Sequence, residues 1–336
     1  IDMQAPHWVL YVRDQLEKRY GTDMVYGGGL QVITSIDMEI QNTVEQMARD
    51  HVAEIGERNK LTNAAIVVLD AKRAEILAMV GSLDYRNEEI DGEINMALAE
   101  LQPGSSFKPF VYATAFAQGY TPATMIMDIP MTYPNPPHED YEPENYSKTF
   151  HGPQSLRSAL ANSYNIPAVE LMNWVGIVPV IDTAHAMGIE TLQGSGYGLS
   201  TALGGSPVRV IDMAYAFSVF ANNGTMLGTP KRPQDVMPGY RQLDPVSILQ
   251  VNNARGEEIY RYLQPERRDV LSPQVAYLIT HVLSDNVART PAFGSVNSLI
   301  LPDRPVAAKT GTTNDYHDGW TVGFTPQFVT AIWTGN

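Results

Sequence analysis

The sequence predicts an α+β fold in which one five-stranded antiparallel sheet is flanked by helices and a helical subdomain is inserted between its strands. Three observations predict it. Two short β-rich runs near the start, Asn63 to Asp70 and Ala74 to Gly81, are joined by Ala71-Lys72-Arg73 as a hairpin. Three more close the chain: Val306 to Thr312, Trp320 to Thr325 and Phe328 to Thr334, separated by the turn-like pieces Asn314 to Gly319 and Pro326-Gln327. Between them, from roughly residue 105 to 300, helical patterns recur at Leu156 to Asn162, Ala168 to Trp174, Val210 to Phe220 and Pro273 to Leu283. Strands at both ends with helices between suit a single antiparallel sheet. A cleft between an all-helical lobe and the edge of that sheet is the natural place for a site.

The opening residues follow the same logic. Pro6 to Tyr20 places aromatic and charged residues at helical spacing, Gly27-Gly28-Gly29 breaks it, and Leu30 to Ile36 alternates as a strand. Asp37 can cap a helix in which Ile40, Val44, Met47, Ala48 and Ile55 recur. Residues 1–60 therefore read as a small α/β appendage and 61–336 as the main domain. The acidic stretch Arg86 to Glu93 reads as a solvated loop.

Composition narrows the functions. The 336 residues are 44% apolar and 18% charged, ample for a buried core. The net charge of −14 gives the chain no grip on polyphosphate, so nucleic acid is a poor partner. There is no cysteine, which removes disulfides, thiolate metal sites and thiol nucleophiles together. No stretch has the roughly 20 mostly apolar residues of a membrane span, and the N-terminus lacks a signal-peptide pattern. It begins as a fragment would.

Three short pieces can carry chemistry. In Gln102-Pro103-Gly104-Ser105-Ser106-Phe107-Lys108-Pro109, Pro-Gly makes a turn and apolar residues then resume at helical spacing. Ser105 is thereby expected at a helix N-terminus, with the amine of Lys108 three residues on over the same face. A serine needs a base to become a nucleophile, and a desolvated lysine near another cation can serve as one. By chance alone, a chain this long holds about one Ser-x-x-Lys. Lys309-Thr310-Gly311-Thr312-Thr313 falls on an expected strand: a cation, hydroxyls to hold a carboxylate, and a glycine that admits a ligand backbone. It is no phosphate loop, since Ala307 and Ala308 precede the lysine and more strand follows. Ser163-Tyr164-Asn165 can place a hydroxyl and an amide in the cleft, but Ser284-Asp285-Asn286 and Ser295-Val296-Asn297 rival it.

Ser-x-x-Lys, Ser-x-Asn and Lys-Thr-Gly in that order resemble the signature of penicillin-binding proteins and serine β-lactamases. The flanks, together with Asn314, Asp315, Asp318, Trp320, Gly28-Gly29-Leu30-Gln31-Val32 and Ala214 to Gly224, resemble the transpeptidase domain of class A (bifunctional) penicillin-binding proteins. The resemblance implies a serine β-lactamase/D,D-peptidase-like fold. It selects Ser163 over its rivals, which read as a helix terminus (Ser284) and a glycine-containing loop (Ser295).

It also implies a mechanism. Ser105 attacks the penultimate D-alanine carbonyl of a peptidoglycan stem peptide, and Lys108 takes its proton, helped by the charge of Lys309. Ser163 relays the proton to the leaving amine, and Asn165 holds Lys108 and the substrate amide. The backbone N–H groups of Ser105 and Thr312 form the oxyanion hole. Thr310, Gly311, Thr312 and Thr313 line the substrate strand, with Thr310 and Thr312 binding the terminal carboxylate beside Lys309. An amine of a second stem peptide then takes the acyl group, and β-lactam antibiotics acylate the same serine.

No metal or other cofactor is implied, and the scattered histidines and the 14 methionines read as structural. Trp320 and Tyr164 could line the cleft or pack. The alternatives on this fold are a D,D-carboxypeptidase or β-lactamase-type hydrolase, and a non-catalytic penicillin-binding sensor. Glu170-Leu171-Met172-Asn173 has the wrong spacing for a water-activating Glu-x-x-Leu-Asn element, so slow deacylation is expected. Class A proteins carry a membrane anchor and a glycosyltransferase domain upstream. Residues 1–60 are accordingly expected to be the linker that follows them, and the domain to work on the extracytoplasmic face of a bacterial cytoplasmic membrane.

Overall fold

The structure, a computed structural model, describes residues 3–313 and 317–336. Helices α1 (Pro6–Tyr20) and α2 (Thr22–Gly27) lead to strand β1 (Gln31–Thr34) and helix α3 (Met38–Asn59). Asp37 caps α3, its Oδ1 accepting the N–H groups of Glu39 and Ile40 that the first helical turn leaves free. The hairpin of β2 (Asn63–Asp70) and β3 (Ile76–Val80) follows. A 3-10 turn over Gly104–Phe107 then runs into α4 (Lys108–Ala117). Next come β4 (Met125–Asp128), β5 (Gly152–Ser155), α5 (Leu156–Ala161), α6 (Asn165–Val175), α7 (Ile177–Met187) and α8 (Val210–Ala221). Five strands succeed them: β6 (Thr225–Pro230), β7 (Leu243–Asp244), β8 (Ile248–Asn252), β9 (Glu258–Arg261) and β10 (Glu266–Asp269). The chain closes with α9 (Pro273–Leu283), α10 (Asn286–Phe293), β11 (Ala307–Thr312), β12 (Gly319–Phe324) and β13 (Phe328–Gly335).

The central sheet has the order β11-β12-β13-β2-β3, antiparallel throughout, so the last three strands complete the sheet that the early hairpin begins. Val67 lies opposite Ala331, and Lys309 opposite Val322. Strand β2 is buried on both faces, which explains its unbroken apolar run in place of alternation. Its Ala65, Val67 and Leu69 join Val322, Phe324, Val329 and Trp333 in the main core, against which the almost wholly buried α8 packs. On the other face Ala64, Ile66 and Val68 pack under Ile40, Val44 and Val52 of α3. Trp8, Val12 and Leu16 of α1 belong to the main core, and β1 pairs with β8.

The insert departs from the all-helical expectation. It also carries β4 paired with β5 and supplies strands to two three-stranded sheets, β1-β8-β9 and β10-β6-β7. These strands are short, and the polar ones, such as the exposed Glu266-Arg267-Arg268-Asp269, have no apolar alternation to betray them. Strand β11 is the terminal strand of the central sheet, and the 3-10 turn of the insert packs beside it.

Candidate active site

The turn before α4 owes its shape to glycine. Gly104 sits at φ +54°, and a Cβ there would come within 2.6 Å of the Thr312 carbonyl oxygen and 2.8 Å of the Thr312 nitrogen. A Cβ on Gly204 would meet the Gly104 backbone at 2.2 Å, and one on Gly311 would meet the Pro103 carbonyl at the same distance. Three backbone segments therefore touch here. The Ser106 hydroxyl ties the turn to the Pro103 carbonyl (2.7 Å), and the Lys108 N–H donates to the Ser105 carbonyl. Ser105 lies half-buried at this crossing, directly after the glycine that packs against the Thr312 backbone.

Lys108, the first residue of α4, is fully buried. Its amine donates to the Ser163 carbonyl (2.6 Å), the Tyr164 carbonyl (3.1 Å) and Asn165 Oδ1 (2.7 Å), with Ser163 Oγ at 3.4 Å. Lys309, 3% exposed on β11, donates to Ser163 Oγ (2.8 Å) and to the Thr310 carbonyl (2.8 Å). The hydroxyl of Ser163 thus lies between two buried amines. The residue itself holds the left-handed conformation at φ +61°, sparsely populated for serine, in the short link between α5 and α6.

Burial, and next the charge of Lys309, press the Lys108 proton affinity well below the ordinary lysine value, against a weaker pull from Asp128. Burial and the neighbouring Arg289 bring Lys309 down to about 7. Three oxygen acceptors around Lys108 suit an ammonium, but desolvation and a second cation outweigh them. A neutral amine has two N–H donors and one lone pair, so deprotonated Lys108 gives up one of the three acceptors and gains a basic face.

Asn165, the first residue of α6, is itself held. Its N–H donates to Asn145 Oδ1 (2.7 Å) and its Nδ2 to the Glu144 carbonyl (2.7 Å). Asn145 in turn donates to both oxygens of the fully buried Asp128, which also contacts His151 Nδ1 at 2.6 Å. Sequence reasoning missed Asp128, Asn145 and Gly204. No local signal marks the first two, and only the Gly204-Gly205 pair hints at the third.

The remaining expected residues fall as follows. Thr310 is half-buried and Thr312 exposed at the end of β11, on the strand edge that has no neighbour in the sheet. The Thr313 hydroxyl engages Asp318, donating to its carboxylate (3.2 Å) and accepting its N–H (2.9 Å). Ser284 is the C-cap of α9 and Asp285 the N-cap of α10, so that triplet is a helix junction. Tyr164 stacks on His151 at 4.1 Å, and Trp320 is buried. Asn314 and Asp315 lie outside the described residues.

An antiparallel sheet with an inserted lobe, and two serines and two lysines gathered at its edge strand, define the penicillin-binding fold class. The chain matches the family described as "Penicillin binding protein transpeptidase domain" over residues 64–333, and it belongs to that family. It is 28% identical to penicillin-binding protein 1C of Escherichia coli (strain K12) over 308 residues, covering 91% of this chain and 35% of that protein. It is 33% identical to penicillin-binding protein 1A of Aquifex aeolicus (strain VF5) over 273 residues, covering 81% and 34%. The chain thus spans about a third of the length of these curated relatives. Its fold matches the crystal structure of penicillin-binding protein 1A from Haemophilus influenzae with a TM-score of 0.81, at 19% identity over 100% of this chain and 66% of that one. It also matches PonA1 of Mycobacterium tuberculosis in complex with penicillin V, with a TM-score of 0.79 at 24% identity over 99% and 85%.

Proposed function

We propose that this chain is a peptidoglycan D,D-transpeptidase domain that works through an acyl-enzyme on Ser105 and is inhibited by β-lactams at the same atom. The observation that carries the reading is the Ser163 hydroxyl held between the amines of Lys108 and Lys309, beside a turn in which Gly104, the residue before Ser105, packs against the Thr312 backbone. Neutral Lys108 takes the Ser105 proton as Oγ attacks the penultimate D-alanine carbonyl. The N–H groups of Ser105 and Thr312 receive the oxyanion, each such donor being worth about 3 kcal/mol in comparable sites. The proton passes from Lys108 through Ser163 to the leaving nitrogen, and Asn165 keeps Lys108 aimed. Thr310 and Thr312 hold the terminal carboxylate on the free edge of β11. The Lys309 amine faces inward to Ser163, and its role is to govern that relay.

The acceptor is the amine of a second stem peptide, which attacks the ester and restores the Ser105 hydroxyl. Water competes poorly, because Glu170, the candidate that the sequence offers to activate it, is tied to Tyr133 (2.8 Å) and to Trp174 (2.6 Å) on α6. The domain acts on the extracytoplasmic side of the cytoplasmic membrane, where its substrate lies. The penicillin V complex of PonA1 supports the same reading for β-lactams.

Intact-protein mass spectrometry after one dose of penicillin, with the modified peptide mapped, tests it. A stable adduct on Ser105 over hours is expected, and none in Ser105→Ala. Labelling of another residue would refute the nucleophile, and loss of the adduct within seconds would make the chain a hydrolase.

A further inference from the structure

The relay has a third cation that the mechanism above does not use. Arg289, on α10, is 3% exposed. Its Nη2 donates to the Leu283 carbonyl at the end of α9, while its Nη1 is buried with no hydrogen-bond partner among the described residues. The nearest acid, Asp285, is already engaged: Oδ1 accepts the Ala288 N–H (2.9 Å) and Oδ2 accepts from Arg157 Nη1 (2.9 Å). Arg289 and Lys309 line the same cavity of about 10 Å³, walled by Leu160, Ala161 and Leu283. That space holds one water-sized body, and no substrate enters it.

A buried guanidinium without a counter-charge is costly, and bonding one helix-end carbonyl needs only a neutral donor. Its permanent charge is what a neutral donor could not replace. Its placement is also tied to the relay. Asn162, the residue before Ser163, donates to the Ala288 carbonyl (2.8 Å) and accepts the Ala292 N–H (3.0 Å), which locks α10 to the Ser163 link.

Resting on the transpeptidase reading above, we infer that Arg289 is a positioning residue that sets the proton load of the Lys309–Ser163–Lys108 relay. Arg289 stays charged at every working pH, so the protons that leave this row of cations leave the two lysines, which titrate as a pair. Among the described residues, the charged or titratable groups on the elements surrounding this site include Lys108 on α4, Asp285 at the N-cap of α10, Arg157 on α5, His281 on α9, and Asp318 just before β12. Asp285 pairs with Arg157, which His281 also contacts, and Asp318 is held by Thr313 and Trp333, so among the described residues none of these carboxylates is bonded to Arg289 or Lys309. The lowered proton affinity of Lys309, with Arg289 as its largest charge contribution, agrees.

The test is the rate of Ser105 acylation by a fluorescent penicillin from pH 5.5 to 9.5, in the parent chain, Arg289→Met and Arg289→Lys, with melting curves for each. Arg289→Met should lose about tenfold in rate at pH 6 and nothing at pH 9, because its acid limb moves about one unit upward. Arg289→Lys should restore the parent profile. Should the methionine variant fail to fold, Arg289→Gln, which keeps a donor for the Leu283 carbonyl, takes its place with the same expected shift. A folded, charge-free variant with the parent's profile, or with one lowered equally at every pH, would overturn the inference. A parent chain that is not acylated at Ser105 would instead overturn the transpeptidase reading.

Discussion

Replacing Asn165 by aspartate exchanges one amide NH2 for an oxygen and sets a carboxylate 2.7 Å from the Lys108 amine. At an effective dielectric of about 20, opposite unit charges at that separation attract by about 6 kcal/mol, or roughly four pKa units. Two losses reduce this. The new oxygen no longer donates to the Glu144 carbonyl, and it faces that carbonyl instead. Allowing half for relaxation leaves about two units by which Lys108 holds its proton more tightly. Burial and Lys309 keep Lys108 below its ordinary value, so the substitution works directly against the feature that makes it a base. Acylation of Ser105 by a fluorescent penicillin at pH 7 should fall about 100-fold and recover towards pH 9.5. Asn165→Ala should fall about tenfold with little change in profile, since it removes one hydrogen bond that aims Lys108 and adds no charge. A folded Asn165→Asp protein with the parent's rate and pH profile would refute the assignment of Lys108 as the base.

Three further perturbations follow from the packing. Gly204→Ala puts a Cβ 2.2 Å from the Gly104 backbone at φ +75°, so it should cost about 2–4 kcal/mol of stability and more than tenfold in acylation, read by melting curve and labelling rate. Lys309→Met should abolish labelling yet stabilise the fold at pH 6 by about 2 kcal/mol net of two lost hydrogen bonds. Folding lowers the proton affinity of Lys309 from 10.5 to about 7, so its cost is full below pH 7 and fades as pH rises towards 10.5. The methionine variant's advantage in melting temperature should shrink over that window, and an advantage that grows with pH would contradict the sign. Asp212→Ala removes a fully buried carboxylate 2.8 Å from the buried Arg241, which keeps Glu190 at 3.0 Å and Asp244 at 3.2 Å. It should lower stability by about 3 kcal/mol while the folded fraction is acylated at the parent rate.

Much of this protein is written locally. Alternation in Phe328–Gly335, helical spacing in Pro6–Tyr20 and the Asp37 cap depend on residues within one or two turns of each other, so a linear reading finds them. The residue types and order of Ser105, Lys108, Ser163, Asn165 and Lys309 are likewise read along the chain, and they suggest the acyl transfer proposed above. The two-residue strand β7 and the polar strand β10 carry no such period, and they are legible only through their pairing partners.

The proton affinities and the shape of the site belong to the tertiary structure. Lys108 is an unremarkable lysine until α4 is buried and the Ser163 link turns three oxygens onto it, and Lys309 is one until Arg289 arrives from α10. Gly104 needs no explanation in sequence until Thr312 and Gly204 press against it. Burial and charge proximity are sums over neighbours that lie tens to hundreds of residues away along the chain. Residue types can therefore name the chemistry, and only packing sets the groups' separations and the protons they hold.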